Sequence, residues 1–325
     1  MGAPLYQMAT SVVERIEGFG VTVPFDSRFA LYARLFGEQA KADRGPISVE
    51  SPDFPVAAQG MLDVMMMDFI FGKLADQLET ATLQAALHRV VAGPAVEQLE
   101  APYCSARDFQ FELLAAARCC WQGSGVRLAE PDVIAHLEGK PLAVACKRIK
   151  SYDKLEERIR AARRQILACE LPGVICLDVS VMFNDQPMQL IGPIDERAFG
   201  SRLSAAFKAF SDQHIKLIED HWVGQTTWIR GIILVYHAPR GQADQPVEMS
   251  TTAYCLPLCR TNAARKREFL KFVESFGATA PGISSSLPSP SVAETNAARS
   301  HFNRSGMQQF TKSRRLRNSA EKLPE

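Results

Sequence analysis

Through most of the first hundred residues, apolar positions return every three to four places, the spacing of helices that bury one face. The run from Ser27 to Phe36 reads as one such helix, with Asp26 or Ser27 as its cap. A loop is predicted from Gly45 and Pro46 to Pro55, then two helices over 58–90 broken near residue 80. The greasiest stretch, 61–70, is too short to span a bilayer and is interrupted by Asp63 and Asp68, so it reads as a buried helix. Gly93, Pro94 and Pro102 punctuate the exit. A further helix is predicted over 107–121, with Phe109, Leu113, Ala116 and Cys120 on one stripe and Gly123 and Gly125 ending it.

The period then changes from helical to alternating. Two strands are predicted over 132–137 and 140–147, joined by a tight turn at Glu138 and Gly139. A helix follows over 152–168, with Leu155, Ile159, Ala162 and Ile166 turned inward. Next come a buried strand over 174–182, a long helix over 196–221, and strands over 228–237 and 251–258. A last helix is predicted over 265–276, and beyond Gly277 a Ser-, Pro-, Ala- and Asn-rich tail is not expected to fold. Strands alternating with helices predict an α/β fold with a mixed central sheet flanked by helices. The expected organisation is a helical N-terminal region over 1–100, a main domain over 101–260, and a short helix and tail over 261–325.

Composition narrows this picture only a little. The chain has 325 residues and a formal net charge of +1, so no global field selects nucleic acid or membrane. Eight scattered cysteines without a secretory leader predict reduced thiols and a cytoplasmic protein. Cys255 and Cys259 lack a second pair at zinc spacing, and His214 and His221 lie two helical turns apart. No phosphate-binding loop, dinucleotide fingerprint or nucleophile elbow is present. The tail segment from Lys312 to Arg317 is basic.

The chemistry gathers around the predicted hairpin. A two-residue turn pairs Leu137 with Lys140 and sets Asp132 opposite Ala145. Asp132, Ala145 and Lys147 then share a face, and Cys146 turns away. Taken singly, Asp132 after Pro131 reads as a turn acid, whereas Glu112, in an otherwise apolar helix, reads as a site residue ahead of a solvent-facing one. Lys147, Arg148 and Lys150 read equally as a solvated strand end or a phosphate-binding cluster. Lys154 and Arg158 head a helix richer in arginine than in acid, which suits a nucleic-acid backbone or a solvated face.

Taken in order, Glu112 in an Ala-rich helix, Glu130-Pro131-Asp132, and Cys146-Lys147-Arg148 resemble the PD-(D/E)XK nuclease superfamily over about 105–182. They look like a bacterial branch of it whose hairpin usually ends in Glu-Cys-Lys-Arg. Here the acid of that element is Ala145. The resemblance implies a restriction-endonuclease-like core and hydrolysis of phosphodiester bonds in nucleic acid, DNA rather than RNA. It implies Mg²⁺ or Mn²⁺ held by Asp132 and Glu112, with Glu130 as a further acid, Lys147 acting on the phosphate and Gln165 supporting the site. Arg148, Lys150, Lys154 and Arg158 would contact the nucleic acid, and no membrane is involved. Homodimers are common among nucleases of this fold, though nothing in the sequence specifies an interface. The alternative, carried by Ala145, is a nuclease fold that binds nucleic acid or a protein partner without cutting.

Overall fold

The computed structural model describes residues 2–42, 47, 51–96, 105–120, 125–183, 212, 228–240, 248–257 and 263–278. Apart from Asp212, the predicted helix over 196–221, with His214 and His221, lies outside these residues, as do Cys259 and the tail.

Four helices come first: α1 (Gly2–Gly18), α2 (Arg28–Lys41), α3 (Phe54–Leu74) and α4 (Thr80–Val91). Ser27 caps α2, its hydroxyl accepting the Ala30 amide. Helix α5 (Ala106–Cys119) leads into three strands, β1 (Val126–Ala129), β2 (Asp132–Leu137) and β3 (Lys140–Arg148). Helix α6 (Leu155–Ala168) crosses to β4 (Gly173–Asp178), and a four-residue helix α7 (Ser180–Phe183) follows. The described chain closes with β5 (Ile229–Arg240), β6 (Glu248–Pro257) and α8 (Ala263–Ala278).

The strands form one mixed sheet in the order β1-β2-β3-β4-β5-β6. β1, β2 and β3 are antiparallel in sequence, β3, β4 and β5 are parallel, and β5 pairs antiparallel with β6. The hairpin register is set by its turn. Glu138 and Gly139 both have positive φ, at 51° and 78°, the pattern of a two-residue turn that follows the strand twist. Leu137 therefore faces Lys140 and Val133 faces Val144, as the sequence predicts.

Alternation along the strands sorts the core into two sides. Ile134, Ala143, Ala145, Ile175 and Leu177 pack toward α6, whose Leu155, Ile159, Ala162 and Ile166 are all buried. Val133, Ala135, Val144, Cys146 and Cys176 face the other way, into a core shared with α5 and the N-terminal helices. That second core runs from Leu5 to Phe272, so the first hundred residues and the sheet are packed as one body.

Two expectations are corrected here. The strand predicted over 174–182 stops at Asp178, where a short helix begins at Ser180. The single apolar stripe predicted on α5 is replaced by burial on almost every side, including Arg107, Gln110 and Arg118. The helix is sandwiched between α3 and α4 on one side and β2 and β3 on the other. Strand β1 was not anticipated, because four residues are too few to show a period. α3 is, among the described residues, the one helix long and apolar enough to cross a membrane by length and composition, and 67% of its most apolar window is buried within the protein.

Candidate active site

Four of the predicted site residues, drawn from four elements, meet at the open end of the β2–β3 hairpin. Asp132 is the first residue of β2, just after a cis Glu130–Pro131 peptide. Its Oδ2 accepts the Cys146 backbone N–H at 2.7 Å and the Lys147 ammonium at 2.9 Å. Lys147 Nζ donates as well to the Cys146 carbonyl at 2.8 Å. Gln165 of α6 donates its amide to the Pro131 carbonyl at 2.9 Å, and its Nε2 lies 3.5 Å from Asp132 Oδ1. The same nitrogen is 3.4 Å from Glu130 Oε2, which places exposed Glu130 at the rim.

Glu112 approaches from α5, on the other side of the sheet. Burial, and then the Asp132 charge, push its carboxyl up to about 8, with Lys147 opposing. Asp132 is also raised, by burial first, while Lys147 and the Cys146 amide act against that rise. The niche thus holds two partly buried carboxyls, both raised, and one ammonium that is bonded to Asp132 and opposes the rise of each.

Ala145 is fully buried within the α6-side apolar cluster, beside Ile175 on β4. Position 145, where the resemblance implies an acid, is therefore occupied by packed hydrocarbon. Among the described residues, no three His, Cys, Asp or Glu side chains are grouped to hold a metal ion. The donors present are the two carboxyls of Asp132 and Glu112. That set falls short of a closed protein cage. It fits Mg²⁺, which keeps several waters and is often bound by one or two carboxylates with substrate phosphates completing the shell. The raised carboxyls are the local observation in favour of the fit, since burial is the first cause of both rises and a bound cation would offset the cost of charging them there.

The predicted nucleic-acid contacts divide. Arg148 is corrected: it is not a surface phosphate contact but an interior ion-pair member. Its side chain is 7% exposed, 2.9 Å from Asp178 and 3.7 Å from Asp108. Alternation turns it away from Lys147 and under α5. Lys150 is half-buried and Arg158 partly exposed. Lys154 is exposed but bonded to Glu157 at 2.8 Å, and Arg160 pairs with Glu156. A shallow depression on this helix is lined by Asp153, Glu156, Glu157, Arg160 and Arg164, so the face is of mixed charge rather than basic.

Sequence reasoning missed the polar row beneath α5, formed by Asp108, Arg148, Asp178 and His237. Two signals pointed to it. Asp178 interrupts an otherwise apolar strand, and Asp108 stands one helical turn before Glu112. No protein-family model matches the chain, and no curated protein or solved structure matches it either.

Proposed function

We propose that this protein is a metal-dependent phosphodiester hydrolase with a restriction-endonuclease-like core, acting on nucleic acid, and on DNA rather than RNA. The observation that carries this reading is the convergence of Asp132, Lys147, Gln165 and Glu112 from β2, β3, α6 and α5. Partly buried charges are costly to a fold, and a cluster of them with raised carboxyls is a mark of a working site. The chain order of helix, antiparallel hairpin, helix and parallel strand supports the core assignment.

Mg²⁺ or Mn²⁺, held by Asp132 and Glu112 with Glu130 at the rim, would supply an activated water and neutralise charge on the phosphate. The protein's own groups do the rest. Lys147 presents a fixed ammonium, anchored on Asp132 and the Cys146 carbonyl, to a phosphate oxygen that gains charge during attack. Gln165 grips the Pro131 carbonyl and so fixes where Asp132 starts its strand. Lys154, Arg158 and the arginines of α6 offer the backbone a partial counter-charge.

A second reading has its own support. The sealed methyl of Ala145 favours a protein of this fold that binds nucleic acid without cutting. The test is incubation of the full chain with supercoiled plasmid and single-stranded DNA in Mg²⁺ and in Mn²⁺, with Lys147→Ala and Asp132→Ala alongside. Cleavage that falls roughly a hundredfold or more in both variants is expected, the scale of losing a group that stabilises developing charge. Undiminished cutting by either folded variant overturns the assignment. Salt-dependent DNA binding with no cutting by the wild type selects the second reading.

A further inference from the structure

The polar row beneath α5 has no part in that chemistry, yet it ties together the elements that bring it about. Arg148 follows Lys147 on β3. Its Nε bonds Asp178 Oδ2 on β4 at 2.9 Å, and its Nη1 lies 3.7 Å from Asp108 Oδ1 on α5. Asp178 Oδ1 accepts the Ser180 amide at 2.9 Å, and Ser180 Oγ accepts the His237 amide at 2.9 Å. The His237 ring meets Phe111 of α5 edge-on, at 6.1 Å. Asp108 and Glu112 are four residues apart and share one face of the helix.

The opposite side of α5 is held separately. Arg107 bonds Asp63 of α3 at 2.9 Å, and Gln110 donates to the Asp63 carbonyl at 3.1 Å. With about 100° of turn per residue, the pair Arg107 and Gln110 lies roughly 150° around the helix from Asp108 and Glu112. Anchors on nearly opposite faces fix the rotation of a helix as well as its position.

We propose that Arg148 is a positioning residue: by bridging Asp108 on α5 and Asp178 on β4, it fixes the rotation of α5 that turns Glu112 toward Asp132 and Lys147. The inference rests on the hydrolase reading for its purpose, but the anchoring can be measured without it. Arginine suits the task because its planar fork addresses two carboxylates at once, whereas an ammonium is a single point. The Asp108 arm is the longer of the two, so α5 is the partner that moves when the bridge weakens.

The experiment uses the full chain carrying Arg148→Lys, which keeps the charge and the reach to Asp178 but not the span. Hydrogen exchange over residues 105–120 and steady-state cleavage are read on the same preparations. Exchange in the first turns of α5 is expected to quicken about tenfold while α1 and α6 stay unchanged, reflecting local release. The kcat for DNA cleavage is expected to fall about tenfold at constant KM, the signature of an interaction that matters only during reaction. Asp108→Asn, at a side chain 21% exposed, is the second variant and should give the same pair of effects without endangering the fold. Ile232→Val, on the α6 side of the sheet, is the control that costs packing but leaves α5 and kcat alone. Unchanged α5 exchange in both variants overturns the proposal, as does a kcat loss matched by the control. Loosened α5 in a protein that never cuts DNA supports the anchoring and removes the hydrolase reading instead.

Discussion

Glu112→Gln is expected to make the metal-free protein more stable than the wild type at pH 9, by about 2 to 4 kcal/mol, and to leave stability at pH 5 almost unchanged. In the folded protein the carboxyl is pushed up to about 8 from an ordinary 4.5 by burial and by Asp132. The facing groups are Asp132 and Lys147 on the hairpin, Asp108 on the same helix, and Arg89 of α4. Between these two values the unfolded chain has released the proton and the folded chain still holds it. The unfolded state therefore binds fewer protons, and stability falls as pH rises through that interval. Glutamine is neutral throughout and does not suffer the loss. Urea midpoints of both proteins at pH 5 and pH 9, in the presence of a chelator, measure the effect. Parallel pH profiles for the two proteins would show that Glu112 is solvated and not a member of the niche.

Asp63→Asn should be the most damaging isosteric change in the N-terminal half, at about 3 to 5 kcal/mol. Asp63 is 2% exposed in the middle of α3. It accepts Arg28 at 3.0 Å, Arg107 at 2.9 Å and the Tyr32 hydroxyl at 3.0 Å through Oδ2, and the Gln59 amide at 3.1 Å through Oδ1. Burial alone would raise this carboxyl, but the Arg107 and Arg28 guanidiniums outweigh it and hold it below the usual range. An amide keeps the shape and removes the charge, leaving two guanidiniums buried without their shared carboxylate. Domains of this kind are stable by only about 5–15 kcal/mol, so the variant should denature at markedly lower denaturant. A guanidinium chloride titration decides it, and a loss below about 1 kcal/mol would mean the arginines are satisfied by other means. The sign with pH is opposite to that of Glu112. A depressed carboxyl contributes stability that disappears as pH falls through its folded value.

The parts of the site legible in the sequence were those fixed by short-range geometry. A Glu-Gly turn with two positive φ values sets the hairpin register, and the register alone aligns Asp132 with Lys147 and turns Cys146 away. The inward face of α6 follows from its 3.6-residue period, which also leaves Gln165 free to reach Pro131. What stayed hidden depends on contacts far apart in the chain. The burial of α5 on nearly all sides comes from α3 and α4 as well as the sheet, so the one apolar stripe read from its sequence understates it. Arg148 looked like part of a basic strand end, because nothing local reveals that Asp108 lies 3.7 Å away across 40 residues of chain. Asp63 read only as an interruption of the apolar run, because the two arginines that bind it lie 35 and 44 residues away.

The double anchoring of α5 bears on what can be cut away. A protein trimmed to begin at residue 101 would keep every residue of the candidate site and the whole described sheet. It would also strip one side of α5 of Asp63 and Arg28, exposing Arg107 and Gln110, two polar side chains whose partners are gone. Such a trimmed chain is expected to express as an aggregating, loosely packed species, seen by size-exclusion chromatography and dye binding to exposed apolar surface. Minimisation for crystallography or engineering should therefore start from the other end and leave the leading helices in place. In this molecule they are the seat on which the helix carrying Glu112 rests.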